Sequence, residues 1–151
     1  MEKWLSQLGG KNWSFIILLG IFIVGIFLRT YEFHDFLRFN ADQSRDAGIV
    51  SSYIEGEAPL PLLGPKAGGT DFRVGPAFYY FQIASAKLFG DAPDAVAYPD
   101  LLFSILAIPL LFFFLRKYFD VRTALFLTAL FAVSMYAVKY ARFAWNPNSR
   151  P

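Results

Sequence analysis

Cysteine is absent from this sequence, so it has no disulfide framework, no thiol nucleophile and no cysteine-bound zinc. A single histidine, His34, leaves too few ring nitrogens for a histidine metal cluster, although carboxylate ligation of a divalent ion stays open. Charge is also scarce. Asp, Glu, Lys and Arg make up 17% of the chain, against about 25% in a typical soluble domain, too few to cover a water-facing surface. Neither sign dominates: 14 basic against 12 acidic residues leave a net charge of +2, too small for a nucleic-acid-binding face. What fills the 151 residues is apolar, with 56% hydrophobic residues, 19% aromatics and a mean hydropathy of +0.40. The 18 Phe, 8 Tyr and 3 Trp exclude a disordered chain. The class that remains is an all-α integral membrane protein.

Three runs carry no charge: residues 12–28, 101–115 and 123–138. A helix rises 1.5 Å per residue, so roughly 17–25 residues cross the hydrocarbon core. Each run reaches that length once flanking aromatic and basic residues are included, because long cations extend to the interface. Trp13, Tyr31, Tyr98, Tyr118, Tyr136 and Tyr140 sit near the run ends, as an aromatic belt requires. Three spans are therefore expected, at about 13–30, 100–117 and 121–139.

A fourth apolar stretch, 74–86, contains Pro76, Gln82 and Ser85 and is closed by Lys87. It is short for a span and fits an interfacial or re-entrant helix. If it does not cross, the N-terminal segment and the 116–122 connection share one side of the membrane. Those segments carry Lys3, Lys11, Arg116, Lys117 and Arg122, which the positive-inside rule assigns to the cytoplasm. If it crosses, the basic connection moves outside and Asp91, Asp94 and Asp100 move inside. The non-crossing arrangement is preferred. It makes 31–99 one long external loop with helices near 41–55 and 76–89. The first run is not read as a cleaved signal, since Arg29-Thr-Tyr-Glu-Phe follows it in place of a small-residue cleavage site.

Within that loop Asn40 can cap a helix and Gly56 can end it. Asp42, Arg45, Asp46 and Ile49 share one face of this helix, beside an apolar stripe of Val50, Tyr53 and Ile54. A loop rich in proline and glycine follows, and Pro76 suits the first turn of the next helix. Asp42 stands where a lipid-linked substrate would meet an aqueous one. Its carboxylate can act as a general base, or it can be a solvated acid favoured by the helix dipole. Asp46 and Arg45 carry the same two readings, because Asp42 and Asp46 can simply flank Arg45 as a local ion pair. Lys66, Arg73 and Lys87 suit either a substrate phosphate or anionic headgroups. Tyr79 and Tyr80 suit a sugar or polyprenyl chain as well as an aromatic belt, and His34 reads as an interface residue. No glycine-rich phosphate loop, catalytic triad or metal-spaced histidine cluster is present.

The motif order is informative. After the first span come Phe39-Asn-Ala-Asp-Gln-Ser-Arg-Asp46, Pro61-Leu-Leu-Gly-Pro65, Gly75-Pro-Ala-Phe-Tyr-Tyr80 and Lys87-Leu-Phe-Gly90, then Ala141-Arg-Phe-Ala-Trp-Asn-Pro-Asn148. From about Trp13 to Pro151 this resembles the N-terminal part of bacterial polyprenyl-phosphate-sugar glycosyltransferases. These form the protein mannosyltransferase and aminoarabinose transferase-like group (glycosyltransferase family 39), which has the multi-span GT-C fold. The resemblance implies a catalytic-base role for Asp42, with Gln43 where the family more usually has a second acid. It implies that Gly75–Tyr80 belongs to a juxtamembrane element, and that Arg142, Asn146 and Asn148 lie on a second external loop near the site. Some relatives carry metal-binding acids there, so a divalent metal stays open. With the residue readings above, the substrate-binding set is Arg45, Asp46, Lys66, Tyr79, Tyr80, Arg142, Asn146 and Asn148.

The function this implies is transfer of a sugar from a polyprenyl-phosphate carrier to an extracytoplasmic acceptor. The enzyme would be a multi-pass protein of the cell (plasma or inner) membrane with a cytoplasmic N-terminus. Its partners would be the lipid-linked donor, membrane lipids and a missing C-terminal part of the same enzyme, since further spans are expected after Asn148. The truncated chain alone is then expected to be inactive. The alternative is a small non-catalytic membrane protein, or a degenerate remnant, packing against other helices. The topology can be checked because the chain lacks cysteine: a single cysteine at Phe119 should resist an impermeant thiol reagent in intact cells and react after permeabilisation. Labelling in intact cells would refute it.

Overall fold

The computed structural model describes residues 13–37, 41–66 and 70–143. Among them six helices follow one another: α1 (Trp13–Thr30), α2 (Ala41–Ile54), α3 (Ala77–Phe89), α4 (Pro93–Leu115), α5 (Val121–Val133) and α6 (Met135–Tyr140). No β-strand occurs among the described residues, and an isolated antiparallel bridge pairs Lys66 with Arg73. The described residues divide into two compact units, one formed by residues 13–31 and 103–139, the other by residues 32–102 and 140–143. Helix α4 contributes its first ten residues to the second unit and the rest to the first.

In the first unit α1 packs on α5. Leu18, Phe112, Ala124 and Leu125 form the buried cluster, with Trp13, Ile21, Leu115 and Val121 against it. Asp120 starts α5 as its N-cap: one carboxylate oxygen accepts from the backbone N–H groups of Arg122 and Thr123 at 2.9 and 3.2 Å. Such a cap gives partners to two of the N–H groups that the first turn leaves without them. Gly25 marks a close approach, because a Cβ there would run into the Ile108 side chain and lie 3.5 Å from Ala132.

Arg29 is buried where these helices meet. Its Nη1 donates to the carbonyls of Gly25 at 3.1 Å and Ala132 at 2.7 Å, its Nε donates to Ser104 Oγ at 2.9 Å, and its guanidinium lies 5.7 Å from the Phe131 ring centroid. Ala132 belongs to the last turn of α5, whose carbonyls have no partner within the helix. One cation therefore satisfies an orphan acceptor of α5 and sits at the favourable C-terminal end of α1's own dipole.

Helices α1 and α4 are long and apolar enough to cross a membrane. Much of their apolar surface is uncovered, as at Ile16 (66% exposed) and Leu110 (65%), which suits lipid rather than water. The run expected to form a third span is divided between two helices, α5 and α6. Helix α5 has 13 residues and ends at Ser134, whose ψ of 118° leaves the helical region. Helix α4 begins at Pro93, seven residues before the start expected for the second span, because proline is well placed in a first turn and Asp94 there complements the dipole.

In the second unit α2 and α3 lie side by side and run parallel. Asp46 meets Tyr79, Val50 packs with Ile83 and Ala86, and the Lys87 ammonium sits 4.9 Å from the Tyr53 ring centroid. Val96 and Ala97 of α4 are covered by Phe33, Leu37 and Ala47. The loop joining α2 to α3 is closed at its neck by Gly64 N–H to Val74 O at 2.9 Å and Val74 N–H to Pro65 O at 3.1 Å. The approach is so close that a Cβ on Gly64 would fall 2.6 Å from the Gly75 carbonyl oxygen.

Replacing Arg29 by methionine keeps the length but removes every donor. We expect the first unit to lose about 1–3 kcal/mol, the usual cost of stranding a buried acceptor. Pulse proteolysis in detergent should show earlier cleavage around Ser134 than in the wild type, and unchanged cleavage would contradict the capping role.

Candidate functional site

Helix α2 places Asp42 in its first turn and Arg45 and Asp46 one turn later, so that all three side chains share a face. Arg45 joins them. Its Nη1 donates to Asp42 Oδ1 at 3.2 Å, while its Nε and Nη2 donate to Asp46 Oδ1 at 3.0 and 2.8 Å. The two acids differ in burial: the Asp42 side chain is 31% exposed and that of Asp46 is 1% exposed. A carboxylate taken out of water needs charge and hydrogen bonds to compensate. Arg45 supplies the charge, and Tyr79 on α3 donates its hydroxyl to Asp46 Oδ1 at 2.9 Å. Burial nonetheless pushes the Asp46 carboxyl above its ordinary value, against the donors from Arg45 and Tyr79 that pull it down. Burial, with the adjacent Asp46 charge, pushes the Tyr79 phenol far up, so the group remains a hydroxyl donor at every working pH.

The structure thus brings four of the residues singled out in the sequence into one hydrogen-bonded line: Asp42, Arg45, Asp46 and Tyr79. Lys66 stands elsewhere, in the loop, with its ammonium 3.0 Å from Asp71. Tyr80, the next residue along α3, is 38% exposed where Tyr79 is buried. Arg142 lies over the Phe36 ring, 5.3 Å from its centroid. Asn146 and Asn148 lie outside the described residues. Among the described residues no three His, Asp or Glu side chains gather closely enough to hold a metal ion.

Two features carried no decisive sequence signal. Gln82, read as a polar interruption of an apolar stretch, is fully buried, and its amide has no hydrogen-bond partner among the described residues. His34 sits in the turn before α2 and contacts Asp94 in the first turn of α4 at 2.7 Å.

A family model described as dolichyl-phosphate-mannose-protein mannosyltransferase matches residues 73–150, just over half of the chain. The chain belongs to that family. Membership gives it glycosyl transfer as its activity class and, with two apolar helices of spanning length, the membrane as its location. No curated protein and no solved structure matches it. The part of this mannosyltransferase-family chain that matches begins at Arg73, so it includes Tyr79 and Arg142 while Asp42, Arg45 and Asp46 precede it. The Tyr79 hydroxyl is therefore a direct contact between the matched segment and the acidic face of α2.

The His34–Asp94 contact makes a pH prediction. The hydrogen bond and charge of Asp94 raise the imidazole above its ordinary 6.5. A raised cation stabilises the fold fully below the unfolded value and loses that contribution as pH rises through the folded one. The His34 ring resonance should therefore titrate above 6.5 in the wild type and fall back towards it in Asp94→Asn. Identical midpoints in the two proteins would show that the contact does not hold in solution.

Proposed function

We propose that this chain is part of a GT-C enzyme that moves a sugar from a polyprenyl-phosphate carrier to an acceptor hydroxyl on the extracytoplasmic side, with Asp42 as the general base. The supporting observation is the environment of Asp42. It is the outermost carboxylate of a line whose far end is anchored by Tyr79, in the segment that the mannosyltransferase family model matches. A base must reach its substrate and be held still while it does so. Partial exposure serves the first need and Arg45 the second.

In this mechanism the acceptor O–H proton passes to Asp42 as the oxygen bonds to the anomeric carbon. The bond from that carbon to the phosphate oxygen breaks, the configuration inverts, and the phosphate leaves on its lipid. Arg45 has five N–H hydrogens, of which Asp42 and Asp46 use only part, so its half-exposed guanidinium can still meet a phosphate oxygen. Lys66 would add charge from the loop, and Tyr80, Arg142, Asn146 and Asn148 would complete the substrate contacts. The aminoarabinose transferase-like subgroup, a bacterial envelope and a cytoplasmic N-terminus belong to the same proposal.

The test is Asp42→Asn, which preserves shape but cannot take the proton. General base catalysis supplies about 10²–10⁴-fold, so turnover with a matched polyprenyl-phosphate sugar should drop at least 100-fold, with little change in donor affinity. Asp46→Asn should cost less, because that carboxylate holds Arg45 without meeting the acceptor. Near-normal turnover in Asp42→Asn, or equal losses in both, would remove Asp42 from the role.

A further inference from the structure

Arg45 stands between two carboxylates and divides itself unequally. Two of its nitrogens go to Asp46 Oδ1, at 3.0 and 2.8 Å, and one goes to Asp42 Oδ1 at 3.2 Å. A guanidinium prefers to place parallel donors on one carboxylate, and both acids lie within its reach. Asp46 has an additional partner in the Tyr79 hydroxyl at 2.9 Å, supplied by a neighbouring helix rather than by α2 itself. That donor helps keep a buried carboxylate ionised, and an ionised Asp46 holds the guanidinium more strongly than a neutral one.

We infer that Tyr79 and Asp46 are positioning residues that hold the paired donors of Arg45 away from Asp42, so that Asp42 keeps one guanidinium contact instead of two. The inference rests on the reading of Asp42 as the proton acceptor. A carboxylate gripped by two parallel N–H donors has its charge neutralised and its lone pairs occupied, and is a poor base. One longer guanidinium contact orients the same carboxylate and takes up less of its lone-pair capacity. Tyr79 therefore acts on the reaction through Asp46 and Arg45, without touching the reacting atoms.

The arrangement responds to pH in a way that simple packing does not. The charged and titratable groups acting on Asp46 are Arg45 and Asp42 from its own helix and Tyr79 from α3. Burial already favours protonation of Asp46, and the two donors oppose it. Acidification neutralises Asp46, which releases the guanidinium to Asp42 and suppresses the base. Removing the Tyr79 hydroxyl takes away one opposing donor, so the release moves to higher pH.

The experiment is the turnover–pH profile of the membrane-embedded enzyme as wild type, Tyr79→Phe, Asp46→Asn and Asp42→Asn. Alongside it, the Arg45 Nε–H resonance, which follows the release independently of turnover, is recorded in the wild type and the two positioning variants. In Tyr79→Phe the acid limb should move up by about one pH unit, turnover should approach the wild-type value at the alkaline end, and the Arg45 resonance should shift over the same interval. Asp46→Asn mimics the neutral acid, so its turnover should be low across the range by less than about 100-fold, with an Arg45 resonance that has lost the step it shares with Asp46. A uniform loss in Tyr79→Phe with an unmoved acid limb and Arg45 midpoint would overturn the inference, leaving Tyr79 a packing residue. Should Tyr79→Phe melt early in detergent, Asp46→Asn decides: wild-type turnover there overturns the inference. Near-normal turnover in Asp42→Asn would instead sink the assignment of the base, a different failure with a different signature.

Discussion

A charge removed from water must be met by partners inside the protein, and each unit of this chain is organised around one such charge. In the helical unit it is Arg29, fully buried, with acceptors on α1, α4 and α5. In the unit of α2 and α3 it is Asp46, with donors from its own helix and from α3. Neither could be moved by a turn without stranding several groups. A buried ion with one partner removed typically costs 3–5 kcal/mol, whereas apolar contacts can slide and repack at lower cost. These two polar centres therefore fix register where the surrounding Leu, Ile, Val and Phe side chains only supply cohesion.

Hydropathy revealed the helices and obscured their joints. The bounds of α1 could be read from an unbroken apolar run ending in Arg29, and those of α2 and α3 from the polar and proline-containing segments on either side. The start of α4 was less visible, because Asp94, Pro99 and Asp100 look like a polar approach to a span rather than the first turns of a helix. The break at Ser134 left no mark on hydropathy at all. Ser134 lies inside an uncharged run, and only the backbone shows that α5 stops there, with a hydroxyl that accepts from the Ala137 N–H at 3.5 Å. The loop between α2 and α3 was legible as a loop from its prolines and glycines, but the bridge from Lys66 to Arg73 that closes it depends on pairing across residues that no local pattern connects.

At the candidate site the division falls between local and distant contacts. The spacing of Asp42, Arg45 and Asp46 made a shared helical face readable, including the ion pairs with Arg45. The difference in burial between the two acids was not readable, since one turn of helix separates them and composition cannot say which is covered. Tyr79 was legible as a functional candidate but for another reason, as a ring suited to a sugar or a lipid. Its hydroxyl instead reaches a carboxylate 33 residues earlier in the chain. Arg29 was passed over because a basic residue at the end of an apolar run has a ready explanation at the membrane interface.

The asymmetry of Arg45 follows from this difference in burial. Where both carboxylates are exposed, water screens each, and a guanidinium between them gains little by choosing. Burying one and leaving the other partly exposed makes the choice matter, since the buried acid has few substitutes for its donors and the exposed acid has water. The hydroxyl of Tyr79 then acts on the same oxygen as the guanidinium, supporting the charge that retains it. What looks like a stabilising ion pair on one helix is in this respect a four-part arrangement across two helices, and its outer member is the partly exposed carboxylate of Asp42.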